Sequence, residues 1–140
     1  MYKLAFIGGS CESIAGYPHF IASQMDKRFE VVSGVFSTNP EINKKTAQRW
    51  NIKSYYNSID ELIKNEINNI DAISILTPTP LHIEAIEKLL KLNIPIICEK
   101  PLVSSLEEIE KIEKILDVNK HFLVVTNNYS GYPMVRELKQ

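Results

Sequence analysis

Short runs of apolar residues recur along the whole chain, and several are rich in β-branched and aromatic side chains. Such runs are continuous rather than alternating, which is typical of strands buried on both faces of a parallel sheet. These runs and one shorter segment at residues 53–56 predict six strands. The predicted strands cover residues 4–7, 29–37, 53–56, 71–76, 94–98 and 122–126.

The segments between these strands carry apolar residues at helical spacing among charged ones, which predicts amphipathic helices. Thr38 or Asn39 is a candidate N-cap before Pro40, and Ser58 forms a candidate capping box with Glu61. The predicted helices cover residues 14–27, 41–50, 59–66, 80–92, 104 or 105 to 116, and 133–140.

Strands and helices alternate from the start of the chain to its end. At 140 residues the chain is predicted to be one α/β domain. Right-handed crossovers favour a doubly wound, six-stranded, mostly parallel sheet with helices on both faces and strand order 3-2-1-4-5-6. Ligands of such sheets bind beyond the carboxyl ends of the strands, so the residues that follow each strand are the functional candidates.

The first strand runs directly into Gly8, Gly9 and Ser10, and a helix follows. Glycines allow a sharp turn and a close backbone approach, and a helix amino terminus attracts phosphate. A dinucleotide fingerprint would have glycine in place of Ser10 and Ser13. Two interpretations therefore stay open, a phosphate-binding loop and an ordinary turn from strand to helix.

Composition excludes several classes of function. The 16 basic and 17 acidic residues give a net charge of −1 without a basic stripe, so no nucleic-acid partner is expected. No apolar run is long enough to cross a bilayer and no secretory leader is recognisable, so we expect a cytoplasmic protein without a membrane partner. The two cysteines, Cys11 and Cys98, match no ligand spacing, and no metal site is expected.

Two further segments follow strands. Residues 77–82 have the sequence Thr-Pro-Thr-Pro-Leu-His, and the two prolines have no backbone N–H to donate. This rigid segment could form a wall against a flat ring of a ligand. It could also be a proline-capped helix start with His82 packed in the first turn. Glu99 and Lys100 precede Pro101 at the mouth of the sheet. Lys100 could exchange a proton there, or it could be an ordinary solvated lysine.

The glycine loop, the Thr-Pro pair with its histidine, and Glu-Lys-Pro at this spacing together resemble the amino-terminal domain of the glucose-fructose oxidoreductase, inositol dehydrogenase and rhizopine-catabolism family (Gfo/Idh/MocA). The resemblance covers essentially the whole chain. It is closer to one branch of that family at residues 8–19, 36–40 and 128–136.

The resemblance implies a Rossmann domain whose chemistry is hydride transfer between nicotinamide and a sugar-like or cyclitol hydroxyl. Lys100 matches the lysine that exchanges the substrate proton, and the bond from Lys100 to Pro101 is a candidate cis peptide. Departures from the family pattern occur at Ser10, Ala15 and Thr79. The candidate cofactor-binding residues are Gly8, Gly9, Ser10, Cys11, Glu12, Ser13, Ile14, Ser37, Thr38, Thr77, Pro78, Thr79, His82, Glu99, Lys100 and Pro101.

Within this set, the residues from Gly8 to Ile14 match the pyrophosphate loop, whereas Thr77, Pro78 and Glu99 match positions at the nicotinamide and its ribose. The cofactor is expected to be NAD or NADP. A carboxylate after the second strand would indicate NAD and an arginine NADP, but Ser37 and Thr38 are neither.

Family members continue into a substrate domain that this sequence lacks. We therefore expect a truncated cofactor domain that is inactive alone, or one completed by another polypeptide. Two alternatives use the same fold: a stand-alone nucleotide-binding sensor, and an interaction protein that has lost its ligand. The sugar and any homo-oligomer stay open.

Overall fold

The computed structural model describes residues 1–138, which form a single sheet covered on both faces. Six parallel strands follow the order β3-β2-β1-β4-β5-β6, so the predicted fold class and strand order are confirmed. The strands are β1 Tyr2–Gly8, β2 Phe29–Val35, β3 Ser54–Tyr55, β4 Ala72–Leu76, β5 Ile96–Cys98 and β6 Leu123–Val125. The helices are α1 Gly16–Met25, α2 Pro40–Arg49, α3 Ile59–Glu66, α4 His82–Leu90, α5 Leu106–Ile115 and α6 Pro133–Glu137.

Two apolar clusters hold the helices against the sheet, one on each face. Side chains of a strand alternate between faces, so Leu4 and Phe6 of β1 pack in one cluster and Ala5 and Ile7 pack in the other. The first cluster receives Trp50 from the end of α2 and contacts from α1. The second receives the buried faces of α3, α4 and α5. This division places α1 and α2 on one face of the sheet and α3, α4 and α5 on the other.

The caps follow the sequence prediction with small corrections. The side chain of Asn39, rather than Thr38, accepts hydrogen bonds from the first turn of α2. Ser58 accepts the backbone N–H of Glu61 at 3.1 Å, as a capping box requires. The Glu61 carboxylate, however, accepts the N–H of Asn57 at 3.0 Å, one residue earlier than the standard box.

Two predicted boundaries at the edge of the ligand-binding region were wrong by two residues. The strand predicted to reach residue 37 ends at Val35, because the N–H of Phe36 donates to Asn43 Oδ1 at 2.9 Å and leaves the ladder. The helix predicted from residue 14 begins at Gly16, because its N–H donates to Ser13 Oγ at 2.9 Å and closes a separate turn first.

Other predicted boundaries shift by similar amounts: β1 begins at Tyr2 rather than at residue 4, and β5 begins at Ile96 rather than at residue 94. The helix predicted over 80–92 begins with a 3₁₀ turn, Thr79–Leu81, because Leu81 N–H donates to the carbonyl of Pro78 at 2.9 Å. The helix predicted over 133–140 is observed to Glu137, and residues 139–140 lie outside the described part of the chain.

Candidate functional site

The loop after β1 depends on two glycines in the left-handed backbone region. Gly8 has φ of 78° and Gly9 has φ of 69°, a conformation that side chains disfavour. A Cβ on Gly8 would lie 2.7 Å from the backbone nitrogen of Thr77, and one on Gly9 would lie 2.5 Å from Leu76 Cδ1. The loop is therefore packed directly against the end of β4.

Gly16, the first residue of α1, is a third glycine that packs against this loop. The dinucleotide fingerprint used in the sequence analysis has no glycine at this position. A Cβ on Gly16 would lie 2.2 Å from the carbonyl oxygens of both Gly9 and Ser10. The fingerprint assigned the close-packing position to Ser13, whose hydroxyl instead donates to the Ser10 carbonyl at 2.9 Å. The signal was present, because Gly16 lies within the segment 8–19 that carries the family resemblance.

Neighbouring α2 anchors the outer part of the loop. The N–H of Cys11 donates to Thr46 Oγ1 at 3.1 Å. The ammonium of Lys45 donates to Glu12 Oε1 at 2.6 Å, and this hydrogen bond raises the pKa of Lys45. Lys45 therefore reaches the loop, but its ammonium is already paired with the Glu12 carboxylate.

A cavity of about 520 Å³ lies beyond the carboxyl ends of β1, β2 and β4. The hydroxyl oxygen of Thr77 at its edge is buried and has no hydrogen-bond partner among the described residues. Buried hydroxyls are ordinarily satisfied, so a ligand or water is expected to complete this one. Eight predicted cofactor residues line the cavity: Gly8, Gly9, Ser10, Ser13, Ser37, Thr38, Thr77 and Pro78.

A charged cluster forms another part of this wall. Lys88 Nζ donates to both oxygens of Asp60, at 3.0 and 3.2 Å, and lies 3.2 Å from Glu84 Oε1. The hydrogen bond to Asp60, and after it the one to Glu84, raises the pKa of Lys88. The sequence prediction missed this cluster, since two helices contribute its members.

A second cavity, of about 650 Å³, lies between α1 and the loops that follow β5 and β6. Three predicted residues line it, namely Ile14, Glu99 and Lys100. Glu99 lines this cavity, whereas Thr77 and Pro78 line the first one, although they follow paired strands and the Glu99 N–H donates to the Ile75 carbonyl at 2.9 Å. The cavity also includes Asn127 and Asn128, which follow the sixth strand as the candidates were expected to do, and His19 and Thr126, which the prediction left out.

The Glu99 carboxylate is the most connected polar group of the second cavity. Its Oε1 accepts hydrogen bonds from the Thr126 hydroxyl at 2.5 Å and pairs with His19 Nε2 at 2.7 Å. Its Oε2 accepts the N–H of Lys100 at 3.2 Å. Burial alone would raise the pKa of Glu99, but the bonds from Thr126 and His19 outweigh it and hold that pKa below its usual value. The carboxylate is therefore ionised at neutral pH.

His82 lies beneath the loops and is only 1% exposed. Its Nε2 is 2.7 Å from the Thr77 carbonyl oxygen, and its Nδ1 is 3.1 Å from the carbonyl oxygens of both Pro101 and Leu102. Cys98 Sγ is 3.4 Å from the same Nδ1. His82 therefore links the loop after β4, which lines the first cavity, to the loop after β5, which lines the second cavity.

The Cys98 thiol is suited to fix the orientation of that imidazole. Burial, with a smaller contribution from Glu99, raises the pKa of Cys98 to about 12, so the thiol keeps its proton. The protonated thiol lies against Nδ1, and Nε2–H donates to the Thr77 carbonyl, which can only accept.

Replacing His82 with leucine should destabilise the protein by about 2 kcal/mol, because the Thr77 carbonyl and the Cys98 thiol would lose buried partners. Urea denaturation of wild-type and variant protein measures this change. Cys98→Ala, which leaves the bond to Thr77 in place, should cost less. Equal stability of His82→Leu and wild type would contradict the assigned hydrogen bonds.

Comparison with known proteins identifies the family. A model of the oxidoreductase family with the NAD-binding Rossmann fold matches residues 2–129. The chain belongs to this family. A solved oxidoreductase from Sinorhizobium meliloti superposes with a TM-score of 0.87 at 34% identity, over 97% of this chain and 39% of its own.

Two further members of the family show the same extent of similarity. An inositol dehydrogenase homologue from Azotobacter vinelandii, solved with NAD+, superposes with a TM-score of 0.88 at 27% identity, over 97% of this chain and 36% of its own. The uncharacterized oxidoreductase YfiI of Bacillus subtilis is 27% identical over 98% of this chain and 36% of its own length. The chain thus spans little more than a third of these relatives.

The predicted family and the predicted class of cofactor, a nicotinamide dinucleotide, are therefore confirmed. The peptide bond from Lys100 to Pro101 is cis, as the family resemblance implied. The individual contacts of the cofactor-binding residues stay predictions. Five of them line neither cavity: Cys11, Glu12, Thr79, His82 and Pro101.

No group of three or more histidine, cysteine, aspartate or glutamate side chains within residues 1–138 is arranged to hold a metal ion. No helix described there is long and apolar enough to cross a membrane.

Proposed function

We propose that this chain is the cofactor domain of an oxidoreductase that transfers a hydride between nicotinamide and a sugar or cyclitol hydroxyl. One observation carries the proposal: the glycine loop separates two cavities and contributes to both. Ser10 and Ser13 line the first cavity, and Ile14 lines the second. A dinucleotide consists of two nucleotides joined by a pyrophosphate, and this arrangement matches that shape.

The residues of each cavity suit one half of the cofactor. The glycine loop and the start of α1 would hold the pyrophosphate, since both offer backbone N–H groups to an anion. Ser37 and Thr38 would hold the adenosine half in the first cavity, and Thr77 at its edge would face the nicotinamide ribose. Glu99 would face the nicotinamide half in the second. The bound nicotinamide supplies the hydride chemistry.

Lys100 is proposed to exchange the proton of the substrate hydroxyl. Its side chain is exposed and lines the second cavity, and the neighbouring Glu99 carboxylate accepts its backbone N–H. As an amine it would take the proton that the hydroxyl loses, and as an ammonium it would stabilise a developing alkoxide. The sugar or cyclitol class is supported by the Azotobacter homologue, which was solved with NADH and myo-inositol.

The charges around the first cavity support NAD rather than NADP. The additional phosphate of NADP is usually bound by a free cationic side chain near the end of β2. Lys45 at the glycine loop and Lys88 in the wall of the first cavity are both paired with carboxylates. The Lys88 cluster has two carboxylates, Asp60 and Glu84, around one ammonium, and its excess negative charge would repel the phosphate.

The purified chain is expected to bind NAD+ about tenfold more tightly than NADP+. Isothermal titration calorimetry with each cofactor measures this difference. Glu12→Gln should reduce this difference in affinity, because the Lys45 ammonium would then be free to bind the additional phosphate of NADP+. Glu113→Gln is the matched control, since it removes the same charge from an exposed position on α5 that lines neither cavity.

The results would separate the candidate functions. Binding of NAD+ with the expected preference would support the proposal, and tighter binding of NADP+ would contradict its choice of cofactor. Binding of neither at millimolar concentration would favour an interaction protein. The cytoplasmic location, the lack of nucleic-acid and membrane partners, and the inactivity of this chain alone stay predictions.

A further inference from the structure

His19 and Glu99 form a polar pair across the second cavity, from α1 on one side and the loop after β5 on the other. His19 Nε2 and Glu99 Oε1 are 2.7 Å apart, and each side chain is 20% exposed. Both line the cavity together with Lys100. The pair therefore lies within the cavity that the proposed function assigns to nicotinamide.

Two buried titratable groups lie close to this pair outside the cavity lining: Cys98, which precedes Glu99 and keeps its proton, and His82, which contacts Cys98. The loop after β5 contributes Glu99 and Lys100, and α1 contributes His19. The remaining lining from α1, β6 and the segment after it is not titratable within the described residues: Ile14, Ala15, Pro18, Ala22, Thr126, Asn127, Asn128, Ser130 and Gly131. A change in the charge of His19 would thus be a large change in the charge of the cavity.

The two redox forms of the cofactor respond differently to that charge. The nicotinamide ring is a cation in the oxidised form and neutral in the reduced form. A nearby carboxylate attracts the cation but not the neutral ring, and an imidazolium beside the carboxylate cancels this attraction. Histidine is the side chain that ordinarily changes charge between about pH 5 and pH 8.

We propose that His19 and Glu99 determine the preference of this domain for oxidised over reduced cofactor, and that protonation of His19 weakens that preference. This inference rests on the proposed function. Glu99 stays ionised in the relevant range, because Thr126 and His19 hydrogen bonds offset its burial. The preference for the oxidised form should therefore rise with pH.

The test is a titration of the purified chain with NAD+ and with NADH at about pH 6 and about pH 8.5. The ratio of the two affinities removes any pH effect common to both forms. In wild-type protein the ratio should favour NAD+ about fivefold more at the higher pH. His19→Gln keeps an N–H donor for Glu99 without a titratable charge. The ratio of NAD+ affinity to NADH affinity in this variant should equal the wild-type ratio at high pH, and it should not change with pH.

Two variants complete the design. Glu99→Gln should lower the ratio at both pH values, because the attraction for the cationic ring is lost. His121→Gln is the matched control: His121 lines neither cavity, so this variant should keep the wild-type pH dependence. Circular dichroism at both pH values checks that each variant is folded.

The outcomes distinguish failure of the inference from failure of the proposed function. If both cofactors bind and their affinity ratio is independent of pH, or if His19→Gln behaves like wild type, the role of His19 is wrong. If neither cofactor binds to folded wild-type protein, the proposed function is wrong, and this inference is overturned with it.

Discussion

Gly16→Ala is expected to destabilise the protein by about 3 kcal/mol and to weaken NAD+ binding by at least about tenfold. The new Cβ would lie 2.2 Å from the carbonyl oxygens of Gly9 and Ser10. Both contacts are with backbone atoms, so no side chain can move aside to relieve them. Alanine favours a helix over glycine by only about 1 kcal/mol. The clash should dominate, and the glycine loop should move away from α1.

Urea denaturation gives the change in the free energy of unfolding, and calorimetry gives the change in affinity. Gly131→Ala is the matched control for stability, since nothing lies within 4 Å of a Cβ at that position. Its stability should stay within about 0.5 kcal/mol of wild type. A Gly16→Ala variant as stable as Gly131→Ala, with unchanged NAD+ affinity, would show that the loop does not need this glycine.

The fold could be predicted because its signals are local and repeated. Continuous apolar strands alternate with amphipathic helices, and each pattern can be recognised without knowing its neighbours. Boundaries near the site were less predictable, because long-range or loop contacts decide them. The hydrogen bond from Phe36 to Asn43 ends β2 two residues early, and the Ser13 hydroxyl delays the start of α1.

The site illustrates the same limit. The sequence placed candidate residues after the correct strands, because parallel strands end at one edge of the sheet. It could not show that His19 and Thr126 converge on Glu99, since those residues are 80 and 27 positions away from it. The alternative that packs His82 in the first turn of its helix agrees with its burial, but the sequence could not show that the ring joins two loops, because its partners lie in the segments after β4 and β5.

Lys100→Met is expected to lower kcat/KM for hydride transfer by about 10²- to 10⁴-fold while the affinity for NAD+ changes less than about threefold. The side chain is exposed beside the cavity, so its removal should leave the cofactor contacts intact. Turnover has to be measured with a substrate-binding region present. We would therefore join this chain to the unmatched part of the Azotobacter homologue and follow NADH formation with myo-inositol.

Lys100→Arg separates the two roles proposed for the lysine. Arginine keeps the positive charge but does not release its proton, so it could stabilise an alkoxide without accepting a proton. If Lys100→Arg is about as inactive as Lys100→Met, proton exchange is the main contribution of the lysine. If Lys100→Arg recovers much of the wild-type activity, the positive charge is the main contribution. Lys111→Met, at an exposed position on α5, should have no effect. If Lys100→Met turned over substrate as fast as Lys111→Met, Lys100 would have no catalytic role.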